Sequence, residues 1–342
     1  MATITTPLTQ RLGLKTPIIS APMGFASTPE MAAAVTAGGG FGTLGATFDS
    51  SEVIKQKMDT IRKILGIARG SPVPVAFGFI GWILDMTEGS DDPRLATMLD
   101  ELPTAIWLSF GDVSKYITQI HAHDKKSGRK TFIFMQVGCL EDALKYAPDV
   151  DCLVLQGIEA GGHGRADAPP VLTLYQAVVQ ALPSGTAPLL VVAGGISTGA
   201  QIAGMLTMGA AGVVVGTRFL FTNECEYPAP AKDAIIAAGH GATVRTLAYD
   251  EVGRTNGWPA NYNGRALRNA VMEDLEAGLA LEERLAKFDA SKAAGASDRI
   301  VVWAGVGAGL VKDIRPTADV LKELHADAVK ALNGAAKLAT GS

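Results

Sequence analysis

Eight short apolar runs follow one another along the chain, and each is apolar nearly throughout instead of alternating with polar residues. Runs of this kind are typical of strands whose two faces are both covered, as in a parallel sheet between a packed interior and a layer of helices. The runs occupy residues 17–23, 41–47, 73–80, 105–111, 131–138, 152–158, 188–196 and 212–220. We therefore predict eight buried parallel strands.

Helical patterns fill intervals between these runs. Apolar residues recur there at helical spacing, and Ser or Thr often stands near the start, where its side chain can cap the first backbone N–H groups. The clearest examples are 28–39, 50–65, 113–126 and 199–210. Eight repeats of strand then helix predict an α/β protein with a TIM-type (β/α)8 barrel. A doubly wound open sheet is the alternative, but it usually has fewer strands and a GxGxxG sequence after the first strand, which is absent here.

Two long segments fall outside the eight units. Residues 81–104 follow the third strand, and residues 222–300 follow the eighth. Connections after barrel strands emerge at the carboxyl face, so we expect both segments to form a lid or pocket wall there. The predicted organisation is a barrel made of 1–221 and 301–342 with a helical lid subdomain at 222–300. From Pro316 the pattern predicts a closing helix with an Ala-rich, poorly ordered end.

Composition narrows the class of partner. With 342 residues and 48% hydrophobic content, the chain can bury one large core. The net charge is −4 and the basic residues are scattered, so no basic patch is predicted that would bind nucleic acid or an anionic membrane surface. The start of the chain lacks the pattern of a secretory signal, and no run approaches the ~20 apolar residues of a membrane span. The chain has three cysteines and no CxxC pair, so neither a disulfide framework nor a zinc site is predicted. This cysteine content predicts a reducing compartment, the cytoplasm.

The predicted strands seven and eight both end in glycine. Strand seven ends in Ala193-Gly194-Gly195, and strand eight ends in Gly216-Thr217-Arg218. These ends are neighbours in a barrel, and glycine there lets backbone N–H groups approach a phosphate while the following helix adds the positive end of its dipole. Tight turns explain many single glycine pairs. Two such ends at these positions predict a phosphate-binding site.

A single histidine stands among glycines in the loop after strand six, residues 156–164. Small neighbours leave the imidazole of His163 accessible to a ligand across the barrel mouth, and histidine as a residue type is suited to proton transfer near neutral pH. We therefore predict that His163 is catalytic. No second His, Cys or carboxylate lies at ligand spacing from it, so no metal site is predicted, and no Ser or Cys occupies a nucleophile elbow. The other histidines lie in helical or polar surface contexts and are expected to be solvated: His121, His123, His240 and His325.

The remaining strand ends carry apolar or neutral groups. Such a site suits a flat, neutral heteroaromatic ring whose polar edge meets backbone amides and two amide side chains. Core packing explains a methionine equally well, but two glutamines at the carboxyl ends of adjacent apolar strands are expected to face a ligand. The residues concerned are Ala21, Pro22, Met23, Gly78, Gln136 and Gln156.

Four motifs together resemble the nitronate monooxygenase family, formerly called 2-nitropropane dioxygenases. They are APM at 21–23, QGIEAGGHG at 156–164, VVAGGI at 191–196 and VGTRFL at 215–220. The segments GRALRNA (264–270) and WAGVGAGLVKDIRP (303–316) are similar to the later blocks of the family, so the resemblance covers nearly the whole chain.

The resemblance implies FMN as the cofactor and an alkyl nitronate with dioxygen as the reactants. It places the FMN phosphate on the backbone of Gly194, Gly195, Gly216 and Thr217, and the ring or ribityl chain against Met23, Gly78, Gln136, Gln156 and Gly161, beside Ala21 and Pro22. His163 matches the active-site histidine of the family, which positions the anionic nitronate or removes a proton from a neutral nitroalkane. The products implied are a carbonyl compound and nitrite.

Two positions depart from the family pattern, and both bear on substrate orientation. Gly78 stands where relatives often carry Asn, and Gly305-Val306 stands where they often carry Gly-Gln. Because one fold hosts several flavin chemistries, two other functions stay open. One is an NAD(P)H-dependent flavin reductase of quinones or enoyl thioesters. The other is a barrel that binds flavin or a sugar phosphate without turnover.

Overall fold

Eleven strands lie in the part of the chain that the computed structural model describes, residues 3–183 and 188–338. They are β1 (Ile18–Ser20), β2 (Gly42–Gly45), β3 (Val73–Ile80), β4 (Pro103–Ser109), β5 (Phe132–Val137), β6 (Cys152–Gln156), β7 (Gly162–Arg165), β8 (Leu189–Ala193), β9 (Gly212–Val215), β10 (Thr243–Thr246) and β11 (Tyr262–Leu267).

Eight of these strands form one parallel sheet in the order β1-β9-β8-β6-β5-β4-β3-β2. A parallel bridge between Ile19 and Phe41 joins the two ends of this order, so the sheet closes into a barrel. Every strand of the barrel lies within or overlaps one of the eight apolar runs. The predicted (β/α)8 barrel is therefore confirmed, and the open sheet is not.

Fifteen α-helices occur in the described residues. They are α1 (Pro7–Leu12), α2 (Pro29–Ala37), α3 (Ser51–Leu65), α4 (Gly81–Thr87), α5 (Arg94–Asp100), α6 (Ser114–Ser127), α7 (Leu140–Tyr146), α8 (Val171–Ala181), α9 (Gly199–Thr207), α10 (Thr217–Leu220), α11 (Ala229–Ala237), α12 (Ala248–Gly253), α13 (Ala270–Glu276), α14 (Leu281–Ala293) and α15 (Thr317–Ala336).

Side-chain caps explain where several ring helices begin. Thr28, Ser50 and Thr198 each accept a hydrogen bond from the backbone N–H three residues later, at the starts of α2, α3 and α9. This bond satisfies one of the four N–H groups that a helix start leaves unpaired. The helices predicted from such signals at 28–39, 50–65, 113–126 and 199–210 are all confirmed.

Large side chains fill the interior of the barrel. Trp107 and Phe134 stack with ring centroids 5.5 Å apart, and Phe41 lies 5.7 Å from Phe134. All three are at most 1% exposed. The barrel is thus a packed core and not a pore, so a ligand has to lie above it, at the carboxyl ends of the strands.

The segment 81–104 divides into two short helices with different positions. In α5, Leu95, Met98 and Leu99 are buried, and the helix packs against α3 in the outer ring. The expectation that the whole segment covers the carboxyl face is therefore wrong for residues 94–100. Only α4 lies at the mouth, where the Trp82 ring meets the edge of Trp258 at 5.6 Å.

Residues 222–300 contain four helices, α11 to α14, and also two strands. β10 and β11 form an antiparallel sheet in the order β10-β11-β7. The prediction that His163 lies in a loop is therefore wrong. Part of that segment is the strand β7, which pairs with β11 through Gly164 and Asn263. The partner strand lies about a hundred residues further along the chain, so local sequence gave no sign of it. The division of the chain into barrel and lid stays a prediction.

The closing helix predicted from Pro316 is confirmed as α15, which packs against α9 and α2. The last four residues of its Ala-rich end, 339–342, lie outside the described residues. Among the helices that the structure describes, none combines the length and the apolar composition needed to cross a bilayer.

Candidate active site

The predicted site residues gather at the carboxyl ends of the barrel strands. Of the twelve, eleven keep part of their surface exposed, whereas the strand residues that precede them are buried. Gly78 is the exception and is buried. Partial exposure at the ends of several neighbouring strands places these residues at the mouth of the barrel, which is where barrels of this type bind ligands.

One corner of this mouth is formed by the ends of β8 and β9. Gly194 and Gly195 have φ angles of +120° and +71°, a region that favours glycine. In the described residues, the backbone N–H groups of Gly194, Gly195 and Gly216 donate no hydrogen bond to the protein. Free N–H groups at this corner fit an anionic group such as a phosphate.

The segment 304–306 lies against the loop that follows β6. The backbone N–H of Gly305 donates to the hydroxyl of Thr217 at 2.9 Å, and that of Val306 donates to the carbonyl of Glu159 at 3.1 Å. A Cβ atom on Gly161 would collide with the backbone of Gly305. The side chain of Val306, which the sequence analysis expects to bear on substrate orientation, is 41% exposed and lies beside Gly195, at the corner formed by the ends of β8 and β9.

The two predicted glutamines are both held by hydrogen bonds. Gln136 accepts one from the indole N–H of Trp107 at 3.2 Å, and Gln156 donates one to the backbone carbonyl of His163 at 3.1 Å. Each amide has both a donor and an acceptor group, so the atoms not used in these bonds can meet a ligand.

Gly78 and Pro22 form a tightly fitted pair on β3 and after β1. A Cβ atom added at Gly78 would lie 2.7 Å from Cβ of Pro22, closer than non-bonded carbon atoms normally approach. The absence of a side chain at Gly78 therefore matches the position of Pro22 in this chain.

His163 projects from β7 into a group of aromatic and acidic side chains. Its Nε2 lies 2.9 Å from Oδ1 of Asp250 on α12. Its ring stacks on Trp258 with centroids 3.6 Å apart and planes inclined by 8°, and Trp303 lies at 4.6 Å with its ring tilted. The hydroxyl of Thr255 donates to the same Oδ1 of Asp250 at 2.8 Å. The imidazole is therefore held at one edge by Asp250 and on one face by Trp258, with Trp303 beside it.

Two arginines on β10 and β11 add positive charge behind the His163 strand. Arg245 donates to the carbonyl of Gly164 at 2.9 Å, and Arg265 donates to the carbonyl of Ile158 at 3.0 Å. Burial, reinforced by the charge of Arg265, lowers the pKa of Arg245 to about 10. Burial likewise lowers the pKa of Arg265, which Glu159 partly opposes. Both remain cationic at neutral pH, and they favour an anionic ligand nearby.

Comparison with known proteins decides the family. The family model described as nitronate monooxygenase matches residues 5–72 and 82–327. The chain belongs to the nitronate monooxygenase family. A nitronate monooxygenase of Neurospora crassa is 32% identical over 340 aligned residues, which cover 91% of this chain and 88% of the relative. The interval between the two matched stretches contains β3 and Gly78.

Solved structures show that the fold of this nitronate monooxygenase family member is shared more widely. FabK from Thermotoga maritima superposes with a TM-score of 0.76 at 22% identity, covering 98% of this chain and 100% of FabK. Nitroalkane oxidase from Streptomyces ansochromogenes gives 0.74 at 24% identity, covering 94% and 98%. At these identities the likeness establishes the barrel fold alone. The family match is what makes the chain an oxidoreductase of the nitronate monooxygenase type.

The sequence analysis predicts His163 as a site residue but does not predict the residues that hold it. Asp250 lies 87 positions further along, within a short helix, and nothing in its neighbourhood marks it as part of a site. Trp258 belongs to the segment 222–300, which the sequence analysis expects at the mouth, so its region was predicted although its contact with His163 was not. Both contacts arise only when residues 248–262 fold over the barrel.

Proposed function

We propose that this member of the nitronate monooxygenase family binds FMN at the barrel mouth and oxidises alkyl nitronates with dioxygen to carbonyl compounds and nitrite. The observation that carries the proposal is the position of His163. Its backbone carbonyl is bonded to Gln156 at the carboxyl end of β6, so the imidazole is anchored beside the mouth. A base or anion-binding group at that place suits a substrate that is either an anion or a weak carbon acid.

The residues at the mouth fit FMN. The free N–H groups of Gly194, Gly195 and Gly216, with the N–H of Thr217, would hold the phosphate. The ring and ribityl chain would contact residues that are small, apolar or neutral: Ala21, Pro22, Met23, Gly78, Gln136, Gln156 and Gly161. When bound, FMN supplies an electron acceptor for the nitronate and an electron donor for dioxygen.

The protein itself binds and orients the substrate and moves one proton. The imidazole of His163 can donate a hydrogen bond to a nitronate oxygen, or it can accept the proton from the carbon next to the nitro group of a neutral nitroalkane. Arg245 and Arg265 favour the anionic form, because they place two positive charges behind β7. The ring of Trp258 covers one face of the imidazole and keeps water from it.

A reductase of quinones or enoyl thioesters is the second candidate. It draws on the structural likeness to FabK, which concerns the fold alone. The family match and the relative from Neurospora crassa favour the oxygenase. We also propose a cytoplasmic location, on the ground that all three cysteines are free thiols: Cys139, Cys152 and Cys225.

The proposed function is tested with the purified protein and two assays. Acid release followed by chromatography should give FMN, and not FAD, in about one equivalent per chain. Oxygen consumption with an alkyl nitronate should be matched by nitrite formation. A protein that takes up no FMN, or a flavoprotein that consumes no oxygen with any alkyl nitronate, contradicts the proposal.

A further inference from the structure

We propose that Asp250 is a positioning residue that fixes the tautomer of His163, so that Nδ1 is the nitrogen that meets the substrate. The expected effect of Asp250 on the kinetics rests on the proposed function, whereas the expected tautomer of His163 does not. It assigns a role to a residue of α12, outside the barrel and its strand ends.

The hydrogen-bond chemistry of the pair determines which ring nitrogen carries the proton. An ionised carboxylate can only accept hydrogen bonds. Because Oδ1 of Asp250 lies 2.9 Å from Nε2 of His163, Nε2 must be the protonated nitrogen. In the neutral ring the lone pair is then on Nδ1. That nitrogen has no hydrogen-bond partner in the described part of the chain, so it is available as a base.

The cost of burying Asp250 shows that the pair is not incidental. The residue is only 1% exposed, and its Oδ2 has no hydrogen-bond partner among the described residues. Burial of a carboxylate with an unsatisfied oxygen is unfavourable, so stability alone does not favour this arrangement. Two donors, Nε2 of His163 and the hydroxyl of Thr255, both point at Oδ1. We therefore infer that the carboxylate is buried here because it accepts a hydrogen bond from the imidazole.

One short segment fixes both the edge and the face of the ring. Asp250, Thr255 and Trp258 lie within nine residues of one another, on α12 and the loop that follows it. Asp250 bonds the edge of the imidazole, and Trp258 covers a face with planes inclined by 8°. Turning the ring to present Nε2 instead would break the hydrogen bond to Asp250. The segment therefore selects one tautomer and one orientation together.

Nitrogen NMR on protein labelled at histidine tests the tautomer directly. In the wild-type holoenzyme, at a pH where the ring is neutral, we expect the His163 signals to show Nε2 bonded to hydrogen and Nδ1 without it. His163→Ala identifies which signals belong to this residue. A wild-type spectrum with hydrogen on Nδ1 overturns the proposal, and this measurement needs no nitronate and no folded variant of Asp250.

Kinetics of Asp250→Asn provide the second test. The amide can donate to Nε2 as well as accept from it, so the fixed tautomer is lost while the shape is kept. We expect a fall on the order of 10²-fold in kcat with a neutral nitroalkane, a clearly smaller fall with its preformed nitronate, and little change in KM. Asp59→Asn is the matched control, because Asp59 lies on α3 in the outer ring and pairs with Arg69, outside the segment 250–258. Equal losses on both substrates, or none on either, contradict the role.

The two tests separate this inference from the proposed function. If the wild-type enzyme shows hydrogen on Nε2 but oxidises no nitronate, the function is wrong and the positioning role survives. If nitronate is oxidised but Nδ1 carries the hydrogen, the function survives and the role of Asp250 is wrong.

Discussion

The imidazole of His163 and the indole of Trp258 lie parallel, with ring centroids 3.6 Å apart. Trp258 also meets Trp82 at 5.6 Å and Phe110 at 5.4 Å, both edge to face. Trp82 and Phe110 follow β3 and β4, whereas Trp258 belongs to the segment after the barrel. The ring that shields the histidine is therefore also the ring that joins this segment to the barrel mouth.

Removing this ring should impair turnover more than cofactor binding. We expect Trp258→Ala to lower kcat/KM for a nitronate by about 10-fold or more, because one face of the imidazole becomes exposed to water and loses its aromatic partner. Trp258→Phe keeps an aromatic face and should retain most of the activity. The Kd for FMN should stay near the wild-type value in both variants. Wild-type kcat/KM in Trp258→Ala would show that the stacked ring plays no part in catalysis.

A series at Gly216 tests where the FMN phosphate binds. A Cβ atom there would make only ordinary contacts, 3.5 Å from Cβ of Ala21 and 3.8 Å from Sδ of Met23, so Gly216→Ala should keep the cofactor. Gly216→Asp adds a negative charge beside the proposed phosphate site and should weaken FMN binding on the order of 10²-fold or more. Gly216→Asn has nearly the same shape without the charge, and fluorescence titration compares the three. Equal Kd values for the Asp and Asn variants would show that no phosphate lies at this position. Gly194 is less informative, because its φ of +120° strains any side chain.

His163 should be needed for turnover but not for holding the cofactor. We expect His163→Ala to keep the flavin absorption spectrum and to lose on the order of 10²–10⁴-fold in kcat/KM with a neutral nitroalkane, whose proton has to be removed first. The loss with the preformed nitronate should be smaller, because that substrate needs no base. The measurement is kcat/KM for a nitroalkane and its own nitronate, side by side. Wild-type values on both substrates would make His163 a bystander.

Buried tyrosines should make the protein sensitive to alkaline pH. Burial raises the pKa of Tyr249 to about 12, whereas a tyrosine in the unfolded chain titrates near ~10. The unfolded state therefore loses this proton first, so the stabilisation is complete below pH ~10 and is lost as the pH rises towards 12. By pH ~11 the free energy of unfolding should fall by on the order of 1 kcal/mol from this residue. Burial raises the pKa of Tyr262 to about 12 as well, which adds to the effect.

Urea unfolding between pH 8 and 11 measures this effect. Tyr249→Phe should be less stable than wild type at pH 8, because the Tyr249 hydroxyl donates to the carbonyl of Leu267 at 2.6 Å. Its stability should nevertheless decline less between pH 8 and 11. Parallel declines in wild type and variant would show that Tyr249 does not contribute to the alkaline sensitivity.

The barrel could be predicted because its signals are local. Each strand is a nearly continuous apolar run, and a capping side chain marks the start of helices such as α2 and α9. The helix α5 was missed although Leu95, Met98 and Leu99 have helical spacing, because the polar residues around them dominated the segment. In that case the signal was present in the sequence.

The candidate site could be predicted only in part. Glycines after two neighbouring strands and a histidine between glycines are readable from the sequence, since their meaning depends on position relative to a strand end. The strand β7 is not readable, because it consists of Gly162, His163, Gly164 and Arg165 and has no apolar residue. Asp250 meets His163 across 87 positions, and only the folded chain brings them to 2.9 Å.

The proposed function requires that nitronates reduce the bound flavin, and anaerobic stopped-flow spectroscopy measures this reduction. The purified holoenzyme is mixed without oxygen with an alkyl nitronate in one experiment and with NADH or NADPH in another, and flavin absorption is followed. We expect the nitronate to bleach the flavin within the turnover time of the enzyme, and both pyridine nucleotides to bleach it far more slowly. Rapid bleaching by a pyridine nucleotide with none by the nitronate would contradict the proposed function and identify a reductase. No bleaching by any of the three would identify a barrel that binds flavin without turnover.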